Sequence, residues 1–217
     1  MPRVLVLGGT GPSGIILIRE LLSHSYTVVV YARTPSKLPA DISSHEDVTI
    51  IKGELSDADS LSKALEGVEA VLSALGPTSS HPRDTPLARG YKLITDLMLK
   101  RGITRIIVLG TASTADEHDK FSLIFWFMVL IVRLFANNAY KEIVAIGKAF
   151  RESPKELRWT IVRVPLLTNA SKKDVAAGYV GDKKVGIILP RAAFAAFMVQ
   201  ELEEENWVRK APAISRA

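Results

Sequence analysis

Four consecutive branched aliphatics, Val4-Leu5-Val6-Leu7, give way to Gly8-Gly9-Thr10-Gly11-Pro12-Ser13-Gly14, and the apolar run Ile15-Ile16-Leu17-Ile18 follows at once. The first run predicts a parallel strand buried on both faces, and the periodic segment after the glycines predicts a helix to about Ser23. The alternation then repeats. Thr27-Val28-Val29-Val30-Tyr31 is rich in β-branched residues and predicts a second strand, and Val48-Thr49-Ile50-Ile51 predicts a third. Ser56 or Asp57 can then cap a helix beginning near Ala58. Residues 69–76 read as a fourth strand, 90–101 as a helix, Arg105-Ile106-Ile107-Val108-Leu109 as a fifth strand and 159–163 as a sixth. A last short strand over 185–189 leads to a helix over 192–203. Strands alternating with helices predict an α/β protein whose parallel sheet is covered on both faces.

The turn after the first strand carries the most specific chemistry. Gly8, Gly11 and Gly14 are spaced GxxGxxG, and Gly9, Gly11 and Gly14 also satisfy GxGxxG. Glycine permits positive φ and close backbone approach, while the N–H groups of the turn and the positive end of the helix dipole point at one anion. Between a strand and a helix, this pattern predicts a diphosphate cradle in a single Rossmann-like doubly wound sheet, with Thr10, Pro12 and Ser13 in the same turn. An NAD-preferring site would carry an acid at the end of the second strand; this chain has Ala32-Arg33-Thr34-Pro35-Ser36-Lys37. Arg33 can meet a 2′-phosphate as a charged fork, with Thr34 and Lys37 as helpers, so NADP(H) is expected. Leu55 is expected against the adenine, and Ala74-Leu75-Gly76 leaves room for a cofactor lying across the strand tips.

Composition narrows the partners. With 217 residues, 47% hydrophobic and 24% charged, the chain fits one globular domain over 1–217. Met1-Pro2-Arg3 runs straight into the first strand without a basic, apolar leader, which predicts a cytoplasmic protein. The lack of cysteine excludes disulfides, thiolate metal sites and a cysteine nucleophile. The net charge is +5, and the cations are scattered rather than gathered into a stripe with interleaved aromatics. Nucleic acid is therefore not an expected partner, and the excess suits an anionic cofactor or substrate. His24, His45, His81 and His118 stand apart without ligand spacing, so no metal site is expected. Residues 201–205 read as a solvated acidic face.

The glycine turn, Arg33, the block Gly53-Glu54-Leu55-Ser56-Asp57, Ala74-Leu75-Gly76 and Trp159-Thr160-Ile161-Val162-Arg163-Val164-Pro165-Leu166-Leu167 span nearly the whole chain. Together they resemble a short, atypical member of the short-chain dehydrogenase/reductase superfamily, of the NmrA-like and biliverdin reductase B-like sort. The resemblance implies NADPH, a doubly wound sheet, and usually reduction of a carbonyl, imine, flavin or conjugated double bond. It sets Pro165 near the nicotinamide and builds the substrate region from about 111–145 and 165–190. Pro190-Arg191-Ala192-Ala193 departs from the Ser-Arg-x-Asp block of many relatives.

Conventional members of that superfamily pair a Tyr with a Lys four residues on, but here Val144 stands four residues after Tyr140. Resemblance to the NmrA-like and isoflavone-reductase-like branch points instead to Lys141, and sets Thr111 and Ser113 where the superfamily keeps a hydroxyl for the reacting oxygen. Proton delivery is expected from Tyr140 or Lys141, assisted by Thr111 or Ser113. The bland alternative is that Tyr140 packs and Lys141 is solvated.

Residues 121–136 are the most apolar stretch, short of the roughly 18 to 20 residues of a bilayer span and interrupted by Arg133. That argues against a transmembrane helix. A mixed role is expected, part core and part wall over a bulky hydrophobic substrate, with peripheral membrane contact or a homo-oligomer contact as alternatives. The expected function is an NADPH-dependent reductase of a small, largely apolar organic molecule. A redox-neutral isomerase or cyclase, or an NmrA-like dinucleotide-sensing regulator, are the alternatives.

Overall fold

Along each central strand, successive side chains enter opposite layers, and this is how one sheet comes to carry helices on both faces. The computed structural model describes residues 1–78 and 81–217. In chain order the elements are β1 (Arg3–Leu7), α1 (Pro12–Ser23), β2 (Thr27–Ala32), α2 (Ala40–Ser43), β3 (Val48–Lys52), α3 (Ala58–Ala64), β4 (Ala70–Ser73) and α4 (Pro86–Lys100). There follow β5 (Arg105–Gly110), α5 (Leu123–Phe135), α6 (Asn137–Arg151), β6 (Arg158–Arg163), β7 (Leu166–Thr168), β8 (Val175–Gly178), β9 (Ile188–Pro190), α7 (Arg191–Glu204) and β10 (Ala213–Arg216). The main sheet runs β3-β2-β1-β4-β5-β6-β10-β8, parallel from β3 to β10 and closed by the antiparallel β8.

Val4, Val6, Val28, Val30, Ile107 and Leu109 pack on one side against Leu17, Ile18 and Leu21 of α1 and Phe194 and Met198 of α7. Leu5, Leu7, Val29, Tyr31, Ile106 and Val108 pack on the other against α3, α4 and α6 through Leu61, Tyr91, Ile94, Ile146 and Phe150. β1 and β2 are thus apolar along almost their whole length because neither face meets water, which is what the unbroken runs predict. The expected α/β doubly wound architecture is present. Asp57 caps α3, its carboxylate accepting from the Ser60 N–H at 3.1 Å.

Several boundaries and roles differ from expectation. The fourth strand is only four residues long, and α4 starts at Pro86 rather than Gly90, because Pro is tolerated in a first turn. The strand expected at 185–189 is β9, which pairs with β7 in a separate two-stranded sheet. β8 and β10 were not legible, since each is four residues long and stabilised by pairing with the other. The apolar stretch forms α5, but Phe125 is its one buried residue, so the expected share in the core reduces to a single side chain.

Glu201 is a correction as well. It is buried, not solvated, because Arg105 enters the sheet from the start of β5. Arg105 Nη2 donates to the Glu201 carboxylate at 2.7 Å, Nη1 donates to Thr160 Oγ1 at 2.9 Å, and Thr160 Oγ1 donates to the same carboxylate at 2.8 Å. This network fastens α7 to β5 and β6. Removing one partner strands a buried charge, so Glu201→Ala is expected to lower the free energy of unfolding by about 3–5 kcal/mol. Arg19→Ala, which breaks the half-exposed Arg19–Asp41 pair, should cost under about 1 kcal/mol. Urea denaturation of both variants measures the contrast.

Candidate active site

The strand order changes direction between β1 and β4, and a parallel sheet leaves a crevice beyond the carboxyl ends at such a point. Register puts Leu7 level with Tyr31 and with Ser73, Ser73 level with Val108, and Gly110 level with Arg163. The segments 8–14, 33–37, 74–76 and 111–113, together with Leu55 and Pro165, therefore all leave the sheet at one edge.

Gly8 sits at φ +74°, a conformation other residues rarely adopt, and a Cβ there would lie 2.9 Å from the Ala74 carbonyl carbon. At Gly14 a Cβ would strike the Gly8 carbonyl oxygen and lie 2.7 Å from Gly9 Cα, so α1 can approach β1 this closely only without a side chain. Gly11 is different. A Cβ there would meet only the Gly8 oxygen, at 3.5 Å, so the space beside it is open. Gly11 is also the N-cap of α1 and supplies no side chain to cap it; Pro12 opens the helix, and Ser13 and Gly14 are buried in its first turn. The first N–H groups of the helix are left for an anion. These features fit a dinucleotide diphosphate.

At the carboxyl end of β2, Arg33, Thr34 and Lys37 are exposed, and Arg33 and Lys37 make no side-chain hydrogen bond among the described residues. Tyr31 lies beneath this region, donating its O–H to the Glu54 carbonyl at 2.8 Å. Gly53 is required here because a Cβ would collide with the Tyr31 ring. Burial, reinforced by the charge of Asp57, pushes the Tyr31 phenol up to about 12, so it remains a donor at neutral pH. Leu55 is half-buried against Gly90, and Ala74 and Leu75 are half-buried while Gly76 is exposed.

On the other side of the crevice, Thr111 and Ser113 are half-buried, with Thr111 Oγ1 accepting from the Ser113 N–H at 3.3 Å. Tyr140 and Lys141 are the fourth and fifth residues of α6 and point in different directions. Tyr140 is half-buried with the Arg133 guanidinium 5.9 Å from its ring centre, whereas Lys141 is exposed. No side-chain hydrogen bond among the described residues joins either of them to Thr111 or Ser113. Two contacts link α6 to this loop: Thr114 donates to the Ile143 carbonyl at 3.4 Å, and the Arg151 guanidinium donates to the Ala115 carbonyl. Pro165 is half-buried between β6 and β7.

The family described as NAD(P)H-binding matches residues 8–205, from the first glycine of the cradle to the end of α7. The chain belongs to the NAD(P)H-binding family. Isoeugenol synthase 1 of Clarkia breweri is 35% identical over 82 residues, which are 35% of this chain and 26% of that protein. The isoflavone reductase homolog IRL of Zea mays is 37% identical over 81 residues, 34% of this chain and 26% of that protein. Each match thus spans only about a quarter of the relative's length. A short-chain dehydrogenase/reductase of Veillonella parvula DSM 2008, crystallised in complex with NADP, superposes with a TM-score of 0.79 at 20% identity, covering 99% of this chain and 94% of that one. It shows the same fold.

Two arrangements that shape this member's crevice escaped sequence reasoning. Glu142 on α6 is fully buried, pairs with buried His81, and accepts from the N–H groups of Leu87 at 3.2 Å and Ala88 at 2.8 Å. It caps α4 from a neighbouring helix, because Thr85 provides no side-chain cap. Asn138, one turn earlier, donates to the His81 carbonyl at 3.0 Å, so one face of α6 holds the segment that follows β4. His81 is therefore paired, not isolated as expected. Ser79 and Ser80, between β4 and α4, lie outside the described residues. The second arrangement is Arg163, whose guanidinium donates to both oxygens of Asp119 at 2.6 and 2.7 Å and to the Thr114 carbonyl at 3.0 Å. It fixes the loop after β5 to the end of β6. An arginine inside the apolar run 159–164 was the available signal.

The glycine geometry yields a direct contrast. Gly14→Ala is expected to destabilise the fold by about 1–3 kcal/mol through backbone collision, while Gly11→Ala should stay within about 0.5 kcal/mol. Paired urea melts read the difference.

Proposed function

We propose that this protein is an NADPH-dependent reductase of the atypical short-chain dehydrogenase type, acting on a small, largely apolar organic substrate. The observation that carries the reading is the uncommitted cation Arg33 at the carboxyl end of β2, beside the glycine cradle and with no acid for a ribose 2′-hydroxyl. Gly8, Thr10, Gly11, Pro12, Ser13 and Gly14 hold the diphosphate; Arg33, Thr34 and Lys37 hold the 2′-phosphate; Leu55 lies against the adenine. Ala74, Leu75, Gly76 and Pro165 border the crossing to the nicotinamide. When bound, the reduced cofactor supplies a hydride. What the chain adds is a proton and an orienting hydrogen bond. Tyr140 or Lys141 gives the proton to the substrate atom that gains negative charge, and the Thr111 or Ser113 hydroxyl donates to that atom. Arg133, stacked over the Tyr140 ring, holds the ring in place.

A redox-neutral isomerase or cyclase is the second reading, favoured by Val144 in the position where a lysine would complete the usual pair. Following NADPH absorbance against aldehydes, quinones, flavins and enones separates the two, because product formed without nucleotide oxidation supports the second.

Arg33→Ala should raise the Kd for NADPH about 10- to 100-fold and leave that for NADH nearly unchanged, as loss of a charge-assisted pair predicts; calorimetry with each nucleotide measures it. Tyr140→Phe and Lys141→Ala should be assayed separately. The variant lacking the proton donor should lose about 10²- to 10⁴-fold in kcat with NADPH affinity intact. Unchanged turnover in both would remove these residues from the mechanism.

A further inference from the structure

We propose that α5 docks this protein onto an anionic lipid surface, lying in the interface rather than crossing it. A surface helix of a water-facing protein normally turns its polar side outward. α5 does the reverse. At about 100° per residue, Leu123, Phe127, Ile131 and Leu134 run along its outward side, flanked by Ile124, Trp126 and Phe135. Leu123 is 68% exposed, Phe127 55% and Phe135 84%, and Phe121 just before the helix is 81% exposed. The one polar side chain of α5, the exposed Arg133, stands at the edge of this side next to Trp126. The inner side of the helix rests on the protein through Phe125, which packs with Val180 and Ala213.

Neither burial within this chain nor a membrane crossing accounts for the helix. Among the described residues, no single helix is long and apolar enough to span; α5 and α6 together reach that length, but the pair is bent by 118° and α6 is packed into the core through Ile143, Ile146 and Phe150. A helix of thirteen residues is about 20 Å long, a length suited to lying flat with its apolar side sunk among the acyl chains. Tryptophan and phenylalanine are favoured at that depth.

The charge around the helix selects the kind of lipid. From Lys120 to Lys141 the chain carries three cations, Lys120, Arg133 and Lys141, and no acid. The turn that packs at the root of α5, where Lys120 N–H donates to the Val180 carbonyl at 2.8 Å, adds Lys183 and Lys184. Asp182 pairs with Lys120, while Arg133, Lys141, Lys183 and Lys184 enter no ion pair among the described residues. An apolar ridge with an uncompensated basic rim complements an anionic bilayer. A second copy fits less well. The apolar half-cylinder offers on the order of 400 Å², about half of what each partner in a stable interface buries. The docking shares Arg133 and Lys141 with the site proposed above, whereas the apolar face of α5 and Lys183 belong to the docking alone.

The test is co-sedimentation of the full chain with phosphatidylcholine vesicles with and without phosphatidylserine, at low and high salt, alongside ultracentrifugation without lipid. Binding to the phosphatidylserine vesicles is expected, weakened by salt and by about fivefold in each of Arg133→Gln and Lys183→Gln. The double variant Phe127→Asp, Ile131→Asp should remain in the supernatant with an unchanged circular-dichroism melt, because both side chains are exposed. Lipid should shift the tryptophan emission to the blue, and Trp126→Phe should abolish the shift while binding persists. Failure of the folded wild-type chain to sediment with either vesicle overturns the proposal. So does a lipid-free dimer that Phe127→Asp dissociates, which would give the face to a second copy.

Discussion

Close approach of α1 to β1 is the constraint on which the remainder of the architecture depends. The Gly8 carbonyl occupies the place where a side chain at position 14 would begin, and Gly8 itself turns at positive φ against the Ala74 backbone. With those atoms excluded, the helix can begin directly at the strand tip and direct its unpartnered N–H groups at the crevice. The same turn fixes the path of the chain over the sheet, so that α1 meets α7 on one face and leaves the other to α3, α4 and α6. The turn that sets the fold is thus also the one that leaves the helix N–H groups facing the crevice.

Around this center, buried polar and charged pairs do a different job from the apolar core. Arg105 with Glu201, Arg163 with Asp119, and His81 with Glu142 each join segments that hydrophobic packing alone would leave free to slide. Burial of ions is costly unless each is paired and hydrogen-bonded, so these contacts tolerate few alternative arrangements. Two of them border the crevice: Arg163 anchors the loop carrying Thr111 and Ser113, and Glu142 anchors the start of α4. The geometry of the loops is therefore set by residues that themselves need touch no ligand.

α5 breaks the rule that apolar side chains go inside. Its neighbours supply only one buried position, at Phe125, and the remainder of the helix stays accessible although its sequence is the most apolar in the chain. A contiguous apolar surface of this kind has a partner as its ordinary physical reason.

The alternating order of strands and helices, the glycine cradle and the cap at Asp57 were legible in the sequence because each depends on residues a few positions apart, through backbone conformation, side-chain period and a local hydrogen bond. The short pairing of β8 with β10, the burial of Glu201, the clamp at Glu142 and the exposure of α5 were decided only by tertiary structure. Arg105 and Glu201 are 96 residues apart, His81 and Glu142 61, and Arg163 and Asp119 44. A charge written in a sequence has no fixed meaning until the fold places its counterion, and an apolar helix has no fixed meaning until the fold determines which of its sides is covered.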